Sequence, residues 1–260
     1  MAIATARQVR LFIAAAAVVL MMAGLMLVPN VAHAAVSVSC GDVSYVVNVS
    51  GAQRTLRGTL CRPGGQPKAV AVLLHGTTYS RTYWHFPVDT GRYSALRQLA
   101  ANGYLTLALD RLGSGDSDRP PVAETGPDVE TAAVHQVVSQ LREDPANATR
   151  SGKVFLIGHS SGSVLALGTS ARYNNVDGVV TTGFLHAAGP GGNFFGAMVH
   201  PAAEDPKYAN ANLPAGYVTT RPGTRITFYN PYNADERVIA MDEQTKGALP
   251  GADPSYVQER

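Results

Sequence analysis

Residues 153–172 read Lys-Val-Phe-Leu-Ile-Gly-His-Ser-Ser-Gly-Ser-Val-Leu-Ala-Leu-Gly-Thr-Ser-Ala-Arg, and the fold is decided here. Lys153 to Ile157 is a short apolar run that predicts a buried strand, and Ser161 to Arg172 is rich in small residues and predicts a helix. Between them, Gly158-His159-Ser160-Ser161-Gly162 fits G-x-S-x-G, in which a serine occupies a sharp turn from strand to helix. The glycines have a physical task. Such a turn crowds the backbone, and side chains two positions to either side of the serine would collide. Ser160 is therefore the candidate nucleophile.

Upstream, His75-Gly76-Thr77 ends the apolar run Ala69 to Leu74. A turn there can aim the amide of Thr77 toward the point faced by the amide of Ser161. Two such donors make an oxyanion hole, each favouring the charge that develops on an attacked carbonyl by about 3 kcal/mol. His75 itself, at a strand end, is read as a structural residue that ties neighbouring loops. Asp110-Arg111-Leu112-Gly113-Ser114-Gly115-Asp116-Ser117 follows a second apolar run and reads as a tight loop. Its glycine pair lacks the acidic partner at the distance a dinucleotide fingerprint needs. No cofactor or metal is expected.

Four apolar runs, Ala69 to Leu74, Leu105 to Leu109, Val154 to Ile157 and Val179 to Leu185, read as buried parallel strands. Between them lie helical patterns at Arg92 to Asn102, at Val129 to Glu143 with Asp128 as cap, and at Ser161 to Arg172. Alternation of this kind predicts an α/β fold, a mostly parallel sheet with helices on both faces, because only two-sided cover removes the need for a polar alternate face. From Gly189 onward prolines, glycines and tyrosines replace that rhythm, with one helical stretch at Asp235 to Gly247. This part is read as a cap over the sheet, and Arg225 to Tyr229 as a possible further core strand.

The chain has 260 residues, 45% of them hydrophobic, enough for one sizeable core. Its first 34 residues carry Arg7 and Arg10, then the apolar run Leu11 to Val28, then Ala32-His33-Ala34, which predicts a cleaved export signal; a retained anchor is the alternative. Cleavage after Ala34 would leave 19 basic against 19 acidic residues. Neither a nucleic-acid patch nor a membrane-binding basic segment is visible, and no stable membrane anchor is expected after cleavage. The expected location is secreted or periplasmic.

Cys40 and Cys61 flank two alternating runs, Val43 to Val49 and Thr55 to Leu60, around Ser50-Gly51. A hairpin centred on that pair puts the cysteines opposite each other at a non-hydrogen-bonded position, where a disulfide is reasonable in an oxidising compartment. Two free buried thiols are the alternative. Asn48 and Asn147 fit the glycosylation acceptor pattern.

The ordered set of His75-Gly76-Thr77, the Asp110–Ser117 loop and Gly158–Gly162 resembles the α/β-hydrolase superfamily over about Val43 to Ala187. The resemblance implies a parallel-rich sheet with an N-terminal β-hairpin, Ser160 as nucleophile, the amides of Thr77 and Ser161 as oxyanion hole, and a cap above. Relatives acting on epoxides or carbon–halogen bonds carry aspartate at the elbow, so serine implies acyl chemistry on a small ester or lactone. Division into a signal (1–34), a hydrolase core (35–188) and a cap with a shortened C-terminal part (189–260) follows.

One feature departs from the pattern. The fold supplies its triad in the order nucleophile, acid, histidine. After Ser160 the sequence offers only His186 and His200, and Glu204, Asp205 or Asp235 as acids. The expectation is that the last strands and the histidine loop are missing, so that this chain hydrolyses slowly. A degenerate, non-catalytic ligand-binding member is the alternative.

Overall fold

A computed structural model describes residues 37–184 and 191–251, and the side chains of 191–194 are not among those described. The expected signal, His186 and the end of the fourth apolar run at Leu185 thus lie outside the described residues.

The chain opens on a hairpin, β1 (Val38–Val49) and β2 (Ala52–Pro63). Val49 pairs with Ala52, leaving Ser50 and Gly51 as a two-residue loop with φ of 51° and 73°. Positive φ at both positions matches the right-handed twist of the flanking strands. The register sets Cys40 opposite Cys61, and the two form a disulfide with Cα atoms 4.1 Å apart, the close spacing of a non-hydrogen-bonded pair. Asn147 is buried, and its side chain accepts from Arg62 at 2.8 Å.

Strands β3 (Val70–Leu74), β4 (Leu105–Leu109), β5 (Val154–His159) and β6 (Gly178–Thr182) complete a sheet of order β1-β2-β4-β3-β5-β6. The hairpin pairs antiparallel onto β4, while β4, β3, β5 and β6 run parallel. Around it lie the helices α1 (Thr90–Tyr93), α2 (Ala95–Ala101), α3 (Pro127–Glu143) and α4 (Ser161–Arg172), with short 3₁₀ turns such as Arg81–Tyr83.

Alternate residues of each central strand enter two different cores, which is why the runs read as continuously apolar. Val70, Val72, Leu74, Leu105, Leu107 and Leu109 pack with Val134, Val137, Val138 and Leu141 of α3 and Leu165 of α4 on one face. Ala71, Leu73 and Ala108 pack with Trp84, Leu96 and Ala100 on the other. Burying a side chain of valine or leucine size contributes about 1.5–3 kcal/mol, so these two layers hold β3 and β4 rigid beneath the turns that follow them.

Several expectations need correction. The helix foreseen over 92–102 is broken at Ser94, whose extended backbone and side chain, accepting from Arg97 N at 3.1 Å, cap α2 instead. The third helix starts at Pro127 behind Gly126, so Asp128 lies inside the first turn and is not the cap; proline pre-sets the first helical position. The fourth strand ends at Thr182 and is not fully buried, since β6 has one neighbour among the described residues and Val180 is 48% exposed. Arg225 to Tyr229 is no strand either. It is a 3₁₀ turn, Thr224–Phe228, because Gly223 turns the chain with φ of 76° and Arg225 is drawn inward by a buried partner.

Residues 191–251 form α5 (Gly191–Met198), a three-stranded sheet of β7 (Val199–Pro201), β8 (Tyr217–Thr220) and β9 (Leu249–Pro250), and α6 (Glu236–Thr245). Its apolar cluster is small, centred on Ala202, Tyr217 and Ala248. Buried polar pairs do much of the holding. Lys246 Nζ donates to Asp205 at 2.8 Å and to Thr220 O at 2.9 Å, and His200 meets the same carboxylate at 3.1 Å.

Candidate active site

Ser160 joins β5 to α4 with φ 52° and ψ −122°, a left-handed φ that a non-glycine residue adopts only when its surroundings over-determine it. The surroundings do so. Its N–H donates to Thr182 O at 2.9 Å, and its carbonyl accepts from Ser163 N at 2.8 Å. A Cβ on Gly158 would stand 2.3 Å from Gly162 O, and one on Gly162 would stand 2.3 Å from Leu74 O. Both glycines are therefore required by backbone contact, and the half-buried serine remains open on one side.

The turn after β3 lies directly against this elbow. A Cβ on Gly76 would fall 3.0 Å from Ser160 Cβ. Thr77 Oγ1 donates to Ser161 Oγ at 3.0 Å, and both residues are buried, so the expected trio of Thr77, Ser160 and Ser161 is brought together. Ser161 opens α4, and the N–H groups of a first turn have no acceptor within their own helix; the aligned helix dipole adds positive character there.

His75 is fully buried and serves the loops, as its strand-end position suggested. Nδ1 lies 2.8 Å from Gly76 O, and Nε2 receives Arg111 N–H at 3.2 Å and touches Ser114 Oγ at 2.8 Å. A carbonyl can only accept and an amide only donate, so the ring carries its proton on Nδ1. Both nitrogens are engaged, and the ring is structural.

The residues that sequence reasoning passed over are Arg111 and Glu130. Arg111 is fully buried, with Nε and Nη2 on the Glu130 carboxylate at 2.9 and 3.0 Å, while Nη1 donates to Ser161 Oγ at 2.7 Å. A two-pronged pair of this kind is the strong form of a charged hydrogen bond. It ties the Asp110–Ser117 loop, α3 and the elbow together. Next to it, Asp110 accepts from Arg81 N at 2.6 Å and Arg81 Nη1 at 2.7 Å, although burial still holds its carboxyl above the usual range. The signal was an Asp-Arg pair closing an apolar strand, where charge has no place unless paired.

Beside the serine, His159 stacks on Tyr83 with centroids 4.4 Å apart and meets Tyr79 edge-on at 6.1 Å. Burial lowers the His159 pKa to about 4, so it is neutral at physiological pH. Burial likewise raises Tyr83 to about 12. The wall next to Ser160 is thus aromatic and uncharged. Farther out, Phe195 and Phe228 stack at 6.1 Å.

The other candidates lie elsewhere. His200 and Lys246 are both committed to Asp205, Glu204, itself exposed, ends a 3₁₀ turn, and Asp235 caps α6 and pairs with Arg237 at 2.7 Å. His85 bonds Ser94, and His135 stacks on Tyr173. Among the described residues no histidine hydrogen-bonds Ser160.

Parallel sheet, two-sided helices and strained serine elbow together define a hydrolase-type α/β scaffold. The chain belongs to the alpha/beta hydrolase family, whose sequence profile matches residues 71–258. It is 30% identical over 156 residues to human monoglyceride lipase, a stretch covering 59% of this chain and 46% of that protein. Similar solved structures include the α/β hydrolase GrgF from Penicillium sp., at 20% identity and TM-score 0.45 over 55% of this chain and 45% of the other. An esterase from Pyrococcus furiosus is 24% identical at TM-score 0.42, over 55% and 48% of the two chains. The chain spans about half the length of these relatives.

Proposed function

We propose that the protein is an exported serine hydrolase that cleaves a small carboxylic ester or lactone through an acyl-serine intermediate. The observation that carries this reading is the Ser160 elbow, with its left-handed backbone enforced by Gly158 and Gly162. Ser160 Oγ attacks the carbonyl carbon while its proton passes to solvent water; the carbonyl oxygen takes the π electron pair and is met by the N–H groups of Thr77 and Ser161. The carbonyl then re-forms as the ester C–O bond breaks, and the leaving alkoxide takes a proton from water and departs as the alcohol. A second water later adds to the acyl group and releases the acid and the serine hydroxyl. The neutral wall of His159 and Tyr83 favours an uncharged substrate. A lipase among the relatives and a disulfide at Cys40–Cys61, which suits an oxidising compartment, support the class and the export.

A second reading, ligand binding without turnover, is favoured by one observation: no described histidine hydrogen-bonds Ser160, four being engaged elsewhere and His159 being stacked on Tyr83. Incubation with p-nitrophenyl acetate separates the two. The hydrolase reading expects p-nitrophenolate release that disappears in Ser160→Ala. Equal release by both proteins contradicts it, and binding of the ester without release establishes the second reading.

A further inference from the structure

The turn that carries Thr77 is strained at the next residue. Thr78 is fully buried with φ of 61°, and a β-branched residue in that region is a true outlier. Tyr79 N donates to Gly76 O at 3.3 Å, closing a turn that, with positive φ at its third residue, ordinarily takes glycine or asparagine there. Something outside the turn must hold it.

The holder comes from the 199–251 region. Gly247 N donates to Thr78 O at 2.7 Å. Arg225 Nη1 reaches the same carbonyl at 3.2 Å and Thr78 Oγ1 at 3.1 Å, and its guanidinium covers the Tyr79 ring with 4.1 Å to the centroid. Arg225 is fully buried, so its charge needs a partner, and Nη2 finds Asp242 at 2.8 Å.

The geometry of that pair is informative beside the other buried arginine. Arg111 presents two nitrogens to Glu130, whereas Arg225 gives Asp242 one, and among the described residues Arg225 Nε and Asp242 Oδ2 have no hydrogen-bond partner. A pair arranged only for stability would close both prongs. Here the fork is turned so that Nη1 meets the Thr78 backbone.

We propose that Arg225, anchored by Asp242, is a positioning residue that keeps the Gly76–Tyr79 turn in the strained form presenting the Thr77 amide to the reacting carbonyl. The inference rests on the serine-hydrolase reading above for its chemical consequence, but its structural half stands alone. Because the strain resides in the threonine side chain, removing that side chain should make the arginine dispensable.

The test measures the rate at which a fluorophosphonate probe modifies Ser160, by intact-mass spectrometry, in the 260-residue protein, together with crystal structures of the variants. Arg225→Met should slow modification about tenfold, a fraction of the loss from deleting an oxyanion donor, with Thr78 relaxing to negative φ. Arg225→Lys should recover part of the rate. Thr78→Gly in the Arg225→Met background should restore most of it, a rescue that general destabilisation would not show. An unchanged rate in Arg225→Met, a Thr78 that keeps its positive φ there, or no rescue by glycine overturns the proposal. Absence of modification in the unaltered protein would instead sink the serine reading, and the Thr78 backbone alone would then decide the clamp.

Discussion

The elbow at 154–172 and the small sheet at 199–251 are both ordered, yet they are held by different physics. Around Ser160 the constraints are mainly apolar burial and backbone contact, with one buried ion pair, Arg111 with Glu130, beneath Ser161: Leu156, Leu165 and Ala166 lie in the main core, and two glycines admit no Cβ. In the small sheet the apolar cluster is slight and the buried contacts are ionic, Lys246 with Asp205 and Arg225 with Asp242. Close packing tolerates no added volume. Buried ion pairs tolerate no lost partner, since the remaining charge is stranded. The two regions should therefore fail under different substitutions and different acidity.

The largest effect is expected at the elbow. Gly162→Ala places a methyl group 2.3 Å from Leu74 O, and because backbone cannot move aside without parting β3 from β5, we expect a loss of about 4 kcal/mol and no modification of Ser160. Urea unfolding with tryptophan fluorescence from Trp84 measures it; a variant of normal stability would break the contrast. Next in size is Lys246→Met, which leaves the buried Asp205 with His200 and the Lys207 N–H but no lysine charge and should cost about 3 kcal/mol. Hydrogen exchange should rise across 199–250 while β3 to β5 stay protected.

Acid sharpens the comparison. His159 is held near pKa 4 by burial, against an ordinary value of 6.5, so the unfolded chain takes up a proton that the folded elbow refuses. Its contribution is complete above pH 6.5 and is lost as the pH falls toward 4, by about 3 kcal/mol. Asp205 behaves in a lower window. Burial alone would raise its carboxyl, but Lys246, the Lys207 N–H and His200 together hold it below the ordinary 3.8, so its contribution persists until the pH drops below that value. At pH 4.5 exchange should therefore accelerate at 154–172 before 199–250, and His159→Phe should abolish that order. At the small end, Gly196→Ala meets nothing within 4 Å and, lying inside α5, should raise stability by up to about 1 kcal/mol, a control that an added methyl is costly only where backbone crowds it.

This contrast also explains what could be read beforehand. The strand alternation, the elbow glycines and the Cys40–Cys61 register were legible because each follows from local periodicity or a short count across a two-residue turn. The break at Ser94 was hidden because a serine inside an apolar pattern reads equally as helix interior or cap, and only Trp84 O, accepting from Leu96 N at 3.0 Å, shows how the chain is redirected. Arg225 misled in the same way. A run of Ile226 to Tyr229 looks like a strand, but the arginine before it has a partner 17 residues along the chain and a second 147 residues back. Long-range charge pairing leaves no periodic trace. The same holds for Arg111 with Glu130, whose role under the elbow depends on three elements meeting.

The most direct test of the account is mapping the residue modified by a fluorophosphonate probe, using intact mass followed by peptide sequencing on the unaltered protein and on Ser160→Ala. A single adduct on Ser160, absent from the alanine variant, is the predicted result. No adduct, or one on another residue that survives the substitution, would contradict it.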